Sequence, residues 1–300
     1  IEFLLNIANS IDKGKLAYQY VADGCLEHDE RKTYFEKRVA IYDLVFETLI
    51  KIDELASSNT DYGNTTSGGV TNGNELTKLR EESYKTALNY NDKLFHYQLY
   101  DWLVSQNAQQ KLLQLDTDFI LPYLQEKSRN SLDISNLLWV YQSKRSNFFS
   151  AAQILYSLAV SDFDIKLDQR IEYLSRANGF CNSVCPPSQR QQMIQLAGLI
   201  QEIFDVAAAQ DDILSLVKND SRVDVDSRTE LVNQLDGKIL PVSDLFNDFA
   251  DPLGYYEICL VIFKISDFRN SDEIMSKWLE LFDSLKSEIS SNSNDLSPED

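Results

Sequence analysis

The sequence predicts an all-α fold, an irregular α-helical solenoid of stacked antiparallel helices, and three observations carry that expectation. Apolar residues recur at three- and four-residue steps along most of the 300 residues, the spacing of one helix face. Glycine is scarce, ten in all, and Gly63, Gly68, Gly69 and Gly73 crowd one stretch. The remainder therefore has little of the residue that tight turns need. Connections between the periodic segments are short, which makes consecutive helices antiparallel neighbours. By length alone the chain is two domains or one long helical unit.

Helices are expected first at 2–11 and 13–23, the second closed by Gly24 ahead of Cys25. Phe35, Val39, Tyr42, Phe46 and Leu49 keep a four-three-four-three step through a long helix at 29–56. Helices at 76–91, 92–107, 117–127 and 133–145 follow, and Phe148, Ala151, Leu155 and Leu158 mark the next at 147–161. A helix at 165–177 is expected to stop at Asn178-Gly179. Pro187-Ser188 with Gln191 reads as a capping box opening a helix at 188–209, whose apolar face is Met193, Leu196, Ile200 and Ile203. Asp211-Asp212 reads as the charged first turn of a further helix at 210–219. Ser227 with Glu230 repeats the capping device for 227–235, and Asp236-Gly237 supplies the left-handed residue that closes it. Helices at 243–249, 253–269 and 271–290 complete the series. Leu260-Val261-Ile262-Phe263 alone resembles a strand, but the apolar segment 255–268 has the length of a buried helix.

This divides the chain into N-terminal helices at 1–56, a polar loop at 57–75, a main stack at 76–290 and a tail at 291–300. The loop is Ser, Thr, Asn and Gly with only Tyr62 and Val70 to bury. Such a composition does not repay its ordering entropy, so loop and tail are expected to be disordered. No tetratricopeptide, ankyrin or leucine-rich period recurs.

The charge balance narrows function. Lys and Arg number 28 against 47 Asp and Glu, a net charge of −19. Residues 205–300 carry 21 acidic and eight basic side chains, so −13 of that lies in the last third. Phosphate binding draws on Lys and Arg, so nucleic acid is not an expected partner; an acidic end suits a basic partner segment. No window is long and apolar enough to read as a membrane span. The opening Ile1-Glu2-Phe3-Leu4-Leu5 lacks a starting Met and reads as the middle of something longer. Cys25, Cys181, Cys185 and Cys259 are too scattered for a disulfide framework and are expected to be small buried hydrophobes.

Candidate chemistry is thin. Only His28 and His96 occur; Asp92, four residues before His96, is within helical reach of it, but a His packed among aromatics is the better reading. Asp220, Asp224 and Asp226 resemble a calcium loop until register is tested: from Asp220 position six is Val225, and from Asp224 position twelve is Leu235, where Gly and Glu are required. Asn64-Thr65-Thr66 and Asn219-Asp220-Ser221 match a glycosylation pattern that arises by chance. No Walker loop, dinucleotide fingerprint, nucleophile elbow or zinc-protease helix is present. The expectation is no enzyme, and no catalytic, cofactor-binding or metal residue. No partner-binding residue stands apart from the packing pattern.

Several stretches together resemble a family. Leu94-Phe95-His96-Tyr97-Gln98-Leu99-Tyr100-Asp101-Trp102-Leu103, Leu137-Leu138-Trp139-Val140-Tyr141 and Ala151-Ala152-Gln153-Ile154-Leu155 are similar to runs in the inner-ring scaffold nucleoporins. This is the family typified by yeast nucleoporin 170 and vertebrate nucleoporin 155. The most specific stretch is Gln169-Arg170-Ile171-Glu172-Tyr173-Leu174-Ser175-Arg176-Ala177, followed by Ser243-Asp244-Leu245-Phe246-Asn247-Asp248-Phe249-Ala250 and Gly254-Tyr255-Tyr256-Glu257-Ile258-Cys259.

The resemblance, which spans about 94–268, implies a fragment of the C-terminal α-solenoid of such a protein, a structural component of the nuclear pore complex at the nuclear envelope. It implies support of protein and mRNA transport without catalysis, and partners that are other nucleoporins, engaged through linear motifs of linker nucleoporins. The family's membrane contact belongs to a β-propeller half outside this chain, so no membrane contact is expected from these residues. A solenoid transport receptor is the alternative, but it needs a regular two-helix repeat that the spacing lacks. Trp139 and Leu174, on apolar helical positions, are expected in the core.

Overall fold

The computed structural model describes residues 1–58 and 70–294. The fold is all-α, an irregular solenoid of fifteen helices with no strand among the described residues. It divides into two compact units, 1–130 and 131–300.

The first unit holds α1 (Glu2–Ile11), α2 (Leu16–Ala22), α3 (Lys32–Ser58), α4 (Val70–Leu88), α5 (Lys93–Ser105), α6 (Gln109–Leu112) and α7 (Ile120–Lys127). α3 is its spine: α1, α2, α4 and α5 all pack against it, and α6 and α7 pack on α5. Tyr42, Val45, Phe46 and Leu49 form its buried stripe. Phe95 of α5 is ringed by Tyr42, Phe46 and Tyr90 with centroids 5.2, 6.0 and 5.9 Å away, separations at which aromatic pairs add to area burial. Within this apolar setting Arg38 is almost wholly buried. Its Nη1 donates to Asp12 at 3.0 Å, its Nε to Tyr42 Oη at 2.8 Å, and its Nη2 to Asp92. Each carboxylate does a second job. Asp12 accepts from Leu16 and Ala17 N–H at the start of α2, and Asp92 caps α5 through Phe95 N–H at 2.9 Å.

The second unit holds α8 (Leu132–Lys144), α9 (Phe148–Ala159), α10 (Leu167–Cys181), α11 (Arg190–Asn219), α12 (Val225–Leu235), α13 (Val242–Asp244), α14 (Tyr256–Ile265) and α15 (Ser271–Asn294). α13 runs directly into a π-helical turn at Leu245–Ala250. Each helix from α8 to α11 packs on its neighbour, α11 also carries α12 and α14, and α15 packs on α14. One core joins Leu155, Leu174, Ile200, Ile213, Leu235, Phe249 and Ile262. Buried Arg170 folds the connection before α10 around itself, donating to the carbonyls of Ala159, Ser161 and Phe163 at 2.8 Å and of Ile165 at 3.2 Å. Gln210, fully buried, bonds Leu235 O, Lys238 O and Leu240 N–H, and so pins the chain after α12 onto α11.

Several expected boundaries move. Helices expected at 188–209 and 210–219 are one 30-residue helix, because Ala207, Ala209, Gln210 and Ile213 continue a single buried face across the expected break. Asp211 and Asp212 therefore lie mid-helix. The capping boxes do not form: a 3-10 turn at Pro187–Gln189 precedes α11, and α12 is opened by Asp224, whose Oδ1 accepts from Asp226 and Ser227 N–H at 3.1 and 3.0 Å. An ionised cap at the positive helix end serves better than a hydroxyl one turn later. α10 continues through Asn178-Gly179 to Cys181, and Gly237 is not left-handed, whereas Gly24 is, at φ 87°. The short α6 had no sequence signal.

At the expected loop, α3 reaches Ser58 and α4 starts at Val70, so the edges of 57–75 are helical; residues 59–69 lie outside the described residues. Likewise α15 extends through Asn294 into the expected tail, and 295–300 lie outside. The expected 76–290 stack is divided at 130/131. Among the described residues no helix is long and apolar enough to cross a membrane.

Candidate docking surfaces

Of the residues that hinted at chemistry, His96, Asp92 and Asp220 are occupied in holding the fold, while His28 is exposed. Nε2 of His96 lies 2.9 Å from Tyr90 O, which only accepts, so Nε2 carries the proton and Nδ1 accepts from Tyr100 Oη at 2.9 Å. Tyr100 in turn meets Thr117 Oγ1. Burial holds the imidazole below its ordinary pKa, in the neutral form this chain of bonds requires. Asp92 makes no hydrogen bond to it and instead holds Arg38, Tyr18 and the N-terminus of α5.

The acidic run after α11 is structural too. Asp220 takes Arg222 through Nε and Nη2 at 3.0 and 2.7 Å and Tyr255 Oη at 3.0 Å. The guanidinium holds its carboxyl well below the usual range. Burial and Asp220 push the Tyr255 phenol up to about 12. Among the described residues no three His, Cys, Asp or Glu side chains converge as a metal site would need. The cysteines depart from expectation: Cys259 is buried, its thiol pushed up to about 11 by that burial, Cys181 and Cys185 are half-buried, and Cys25 is exposed.

The most specific family-like stretch proves to be a fold signature. Arg170 organises a loop, Leu174 is fully buried, and Tyr173 Oη donates to Asn136 Oδ1 at 3.0 Å, joining α10 to α8. Trp139 is only half-buried: its Nε1 donates to that same Asn136 oxygen at 3.1 Å, while Arg176 lies over its ring.

Surface able to receive a partner lies elsewhere. In the second unit a groove of about 480 Å³ opens between the end of α11, the start of α14 and α15. Leu216, Ile258, Leu281 and Leu285 give it apolar walls, and Glu257 and the Asp220–Arg222 pair line it too. Gly254, left-handed at φ 72°, turns the chain into α14 beside it. α15 buries one side against α14, where Lys277 pairs with Asp251 and with Glu280 at 2.8 Å. Its other side presents Met275, Trp278, Phe282, Leu285 and Ile289, each 40–70% exposed, in a three-four-three-four step, with Trp278 stacked on Phe282. A row of exposed apolar side chains is surface that a partner can cover.

The comparisons with known proteins agree with the architecture. A family model described as non-repetitive/WGA-negative nucleoporin C-terminal matches residues 1–298. The chain is 61% identical to Nucleoporin NUP170 of Saccharomyces cerevisiae over 96% of its length and 19% of that protein. It is 37% identical to the probable nucleoporin C890.06 of Schizosaccharomyces pombe over 93% of its length and 20% of that protein. It thus spans about a fifth of the length of the curated relatives it matches. Its structure is similar to the crystal structure of the Chaetomium thermophilum Nup170 CTD–Nup145N complex, with a TM-score of 0.86, 32% identity, and coverage of 98% of this chain and 56% of that one.

Proposed function

We propose a role from one premise: this chain belongs to the non-repetitive/WGA-negative nucleoporin C-terminal family. It is a structural piece of the nuclear pore complex, placed at the nuclear envelope, that supports nucleocytoplasmic transport by holding neighbours together rather than by catalysis. Its partners are other nucleoporins, bound as linear segments laid into grooves between helices. The observation that carries the reading is the likeness across 98% of the chain to a Nup170 CTD captured with Nup145N. A segment of the corresponding linker nucleoporin is the natural ligand. Nucleic acid and membrane are not partners of these residues, and no cofactor is needed.

Docking belongs in the second unit, where the groove beside α14 and the apolar side of α15 meet in the most acidic third of the chain. There apolar walls take the anchors of a segment, and Glu257 beside them favours Lys or Arg in that segment. Exposed charge is screened over about 8 Å at physiological salt, so it speeds encounter and selects partners more than it sets affinity.

The test is titration of labelled segments of the Nup145N homologue, and of RNA, against the whole chain. Leu285→Glu, at an exposed groove position, should weaken segment binding at least tenfold, and Glu257→Lys should slow association. Segment binding unmoved by both variants, or tight RNA binding at physiological salt, overturns the placement.

A further inference from the structure

The exposed side of α15 carries a pattern that a groove for an extended segment does not explain. Met275, Trp278, Phe282, Leu285 and Ile289 repeat every three and four residues, the a and d spacing of a seam between two helices. Leu279, beside Trp278, is 58% exposed and widens the row. From Met275 to Ile289 the row runs about 21 Å at 1.5 Å per residue. Ile274, Lys277, Leu281 and Ser284, the half-buried residues of the helix, lie together on its other flank, so the row is open along its length.

Such a seam takes another helix, and the charges beside this one indicate which. Asp272 and Lys286 are exposed and make no ion pair, whereas Lys277 is already held by Asp251 and Glu280. Turned antiparallel about Leu279, a second α15 lays Trp278 of one copy against Phe282 of the other, Met275 against Leu285, and Leu279 against Leu279. The same register brings Asp272 of each copy to Lys286 of the other, in the position where antiparallel coiled coils place their flanking ion pairs. Glu273 and Asp283 stand farther round the helix, outside the seam. A parallel pair offers neither Asp272 nor Lys286 an opposite charge. Six large apolar side chains, each 40–70% exposed, against about 150–250 Å² for a whole aromatic side chain, put roughly 1,200 Å² between two copies, the lower edge of the ~1,200–2,000 Å² of specific interfaces.

We propose that the chain associates with a second copy of itself through α15, as an antiparallel helix pair closed by two Asp272–Lys286 bridges. A copy and a linker segment compete for this side of α15, so the pair is the state of the chain in the absence of a segment. The seam, its register and its charge pairing do not rest on the docking role.

The experiment is analytical ultracentrifugation of the whole chain, with no segment present, over a series of micromolar concentrations. The mass should rise from one chain to two as concentration increases. Trp278→Glu, at an exposed position, should leave a single chain throughout while keeping the parent's helical spectrum and melting temperature. Should that variant melt below the parent, Ile289→Glu, at a 70% exposed position, gives the same test. Lys286→Glu sets two like-charged contacts in place of two bridges and should weaken the pair about tenfold. Asp272→Lys should do the same, and the double variant Asp272→Lys/Lys286→Glu, which restores both bridges in reverse, should recover most of the loss. A chain that stays single at every concentration, a pair indifferent to both Trp278→Glu and Ile289→Glu, or a double variant no tighter than the single ones overturns the proposal. Failure of linker segments to bind would bear on the docking role alone, since none is present here.

Discussion

Arg38 shows how a single buried charge is tolerated: two carboxylates, each already capping a helix, close around it with a tyrosine hydroxyl. Arg38→Met leaves Asp12 and Asp92 buried without their counter-charge, and breaking a buried pair from one side costs about 3–5 kcal/mol. Urea unfolding of the variant should show a loss of that size. His96 sets a pH dependence whose sign follows from its lowered pKa. The unfolded chain takes up a proton near pH 6.5 while the folded one stays neutral, so the stabilisation is complete above pH 6.5 and is lost as pH falls through it. In His96→Gln the amide still donates to Tyr90 O but does not titrate. The fall in urea midpoint between pH 7 and pH 5.5 should therefore be shallower than in the parent. The sequence singled out both Asp92 and His96, and rightly read the His as packed. That Asp92 turns instead to Arg38, 54 positions earlier, was beyond any local pattern.

Among elements, apolar periodicity placed nearly every long helix, since period 3.6 is written in neighbouring residues. Ends were harder. Cap signals are worth about 1 kcal/mol, and a continuous buried face outweighs them, as it does across residues 209 and 210 in α11. Asp224→Ala should remove the cap of α12 and cost about 0.5–2 kcal/mol, read as a lower melting temperature, whereas Ser227→Ala, expected to matter from sequence alone, should have little effect. The polar composition of 59–69 gives it almost nothing to bury. Replacing those residues with a short Gly-Ser linker should leave the melting temperature and the binding of Nup145N-homologue segments unchanged.

At the scale of the whole molecule, the long polar stretch is not where the chain divides, because α3 and α4 on either side of it pack together. The division falls between α7 and α8, at 130/131, in a connection with no unusual composition. Each unit has its own core, so the pieces 1–130 and 131–300, produced separately, should each give a helical spectrum and a cooperative melt; a piece that stays unfolded would show that its core is incomplete. By itself the sequence determined the helical class, the acidic balance, the scarcity of histidine and, through its resemblance, the family. These are properties of composition and of residues close together in the chain. Only the tertiary structure decided where the chain divides, which cluster holds Arg38, and which surfaces remain open to a partner. A groove walled by Leu216 of α11 and Leu281 of α15, or by Tyr84 of α4 and Leu103 of α5, exists only once those helices have chosen their neighbours. That choice is made by the sum of many weak packing contacts between distant segments, and no short stretch of sequence carries it.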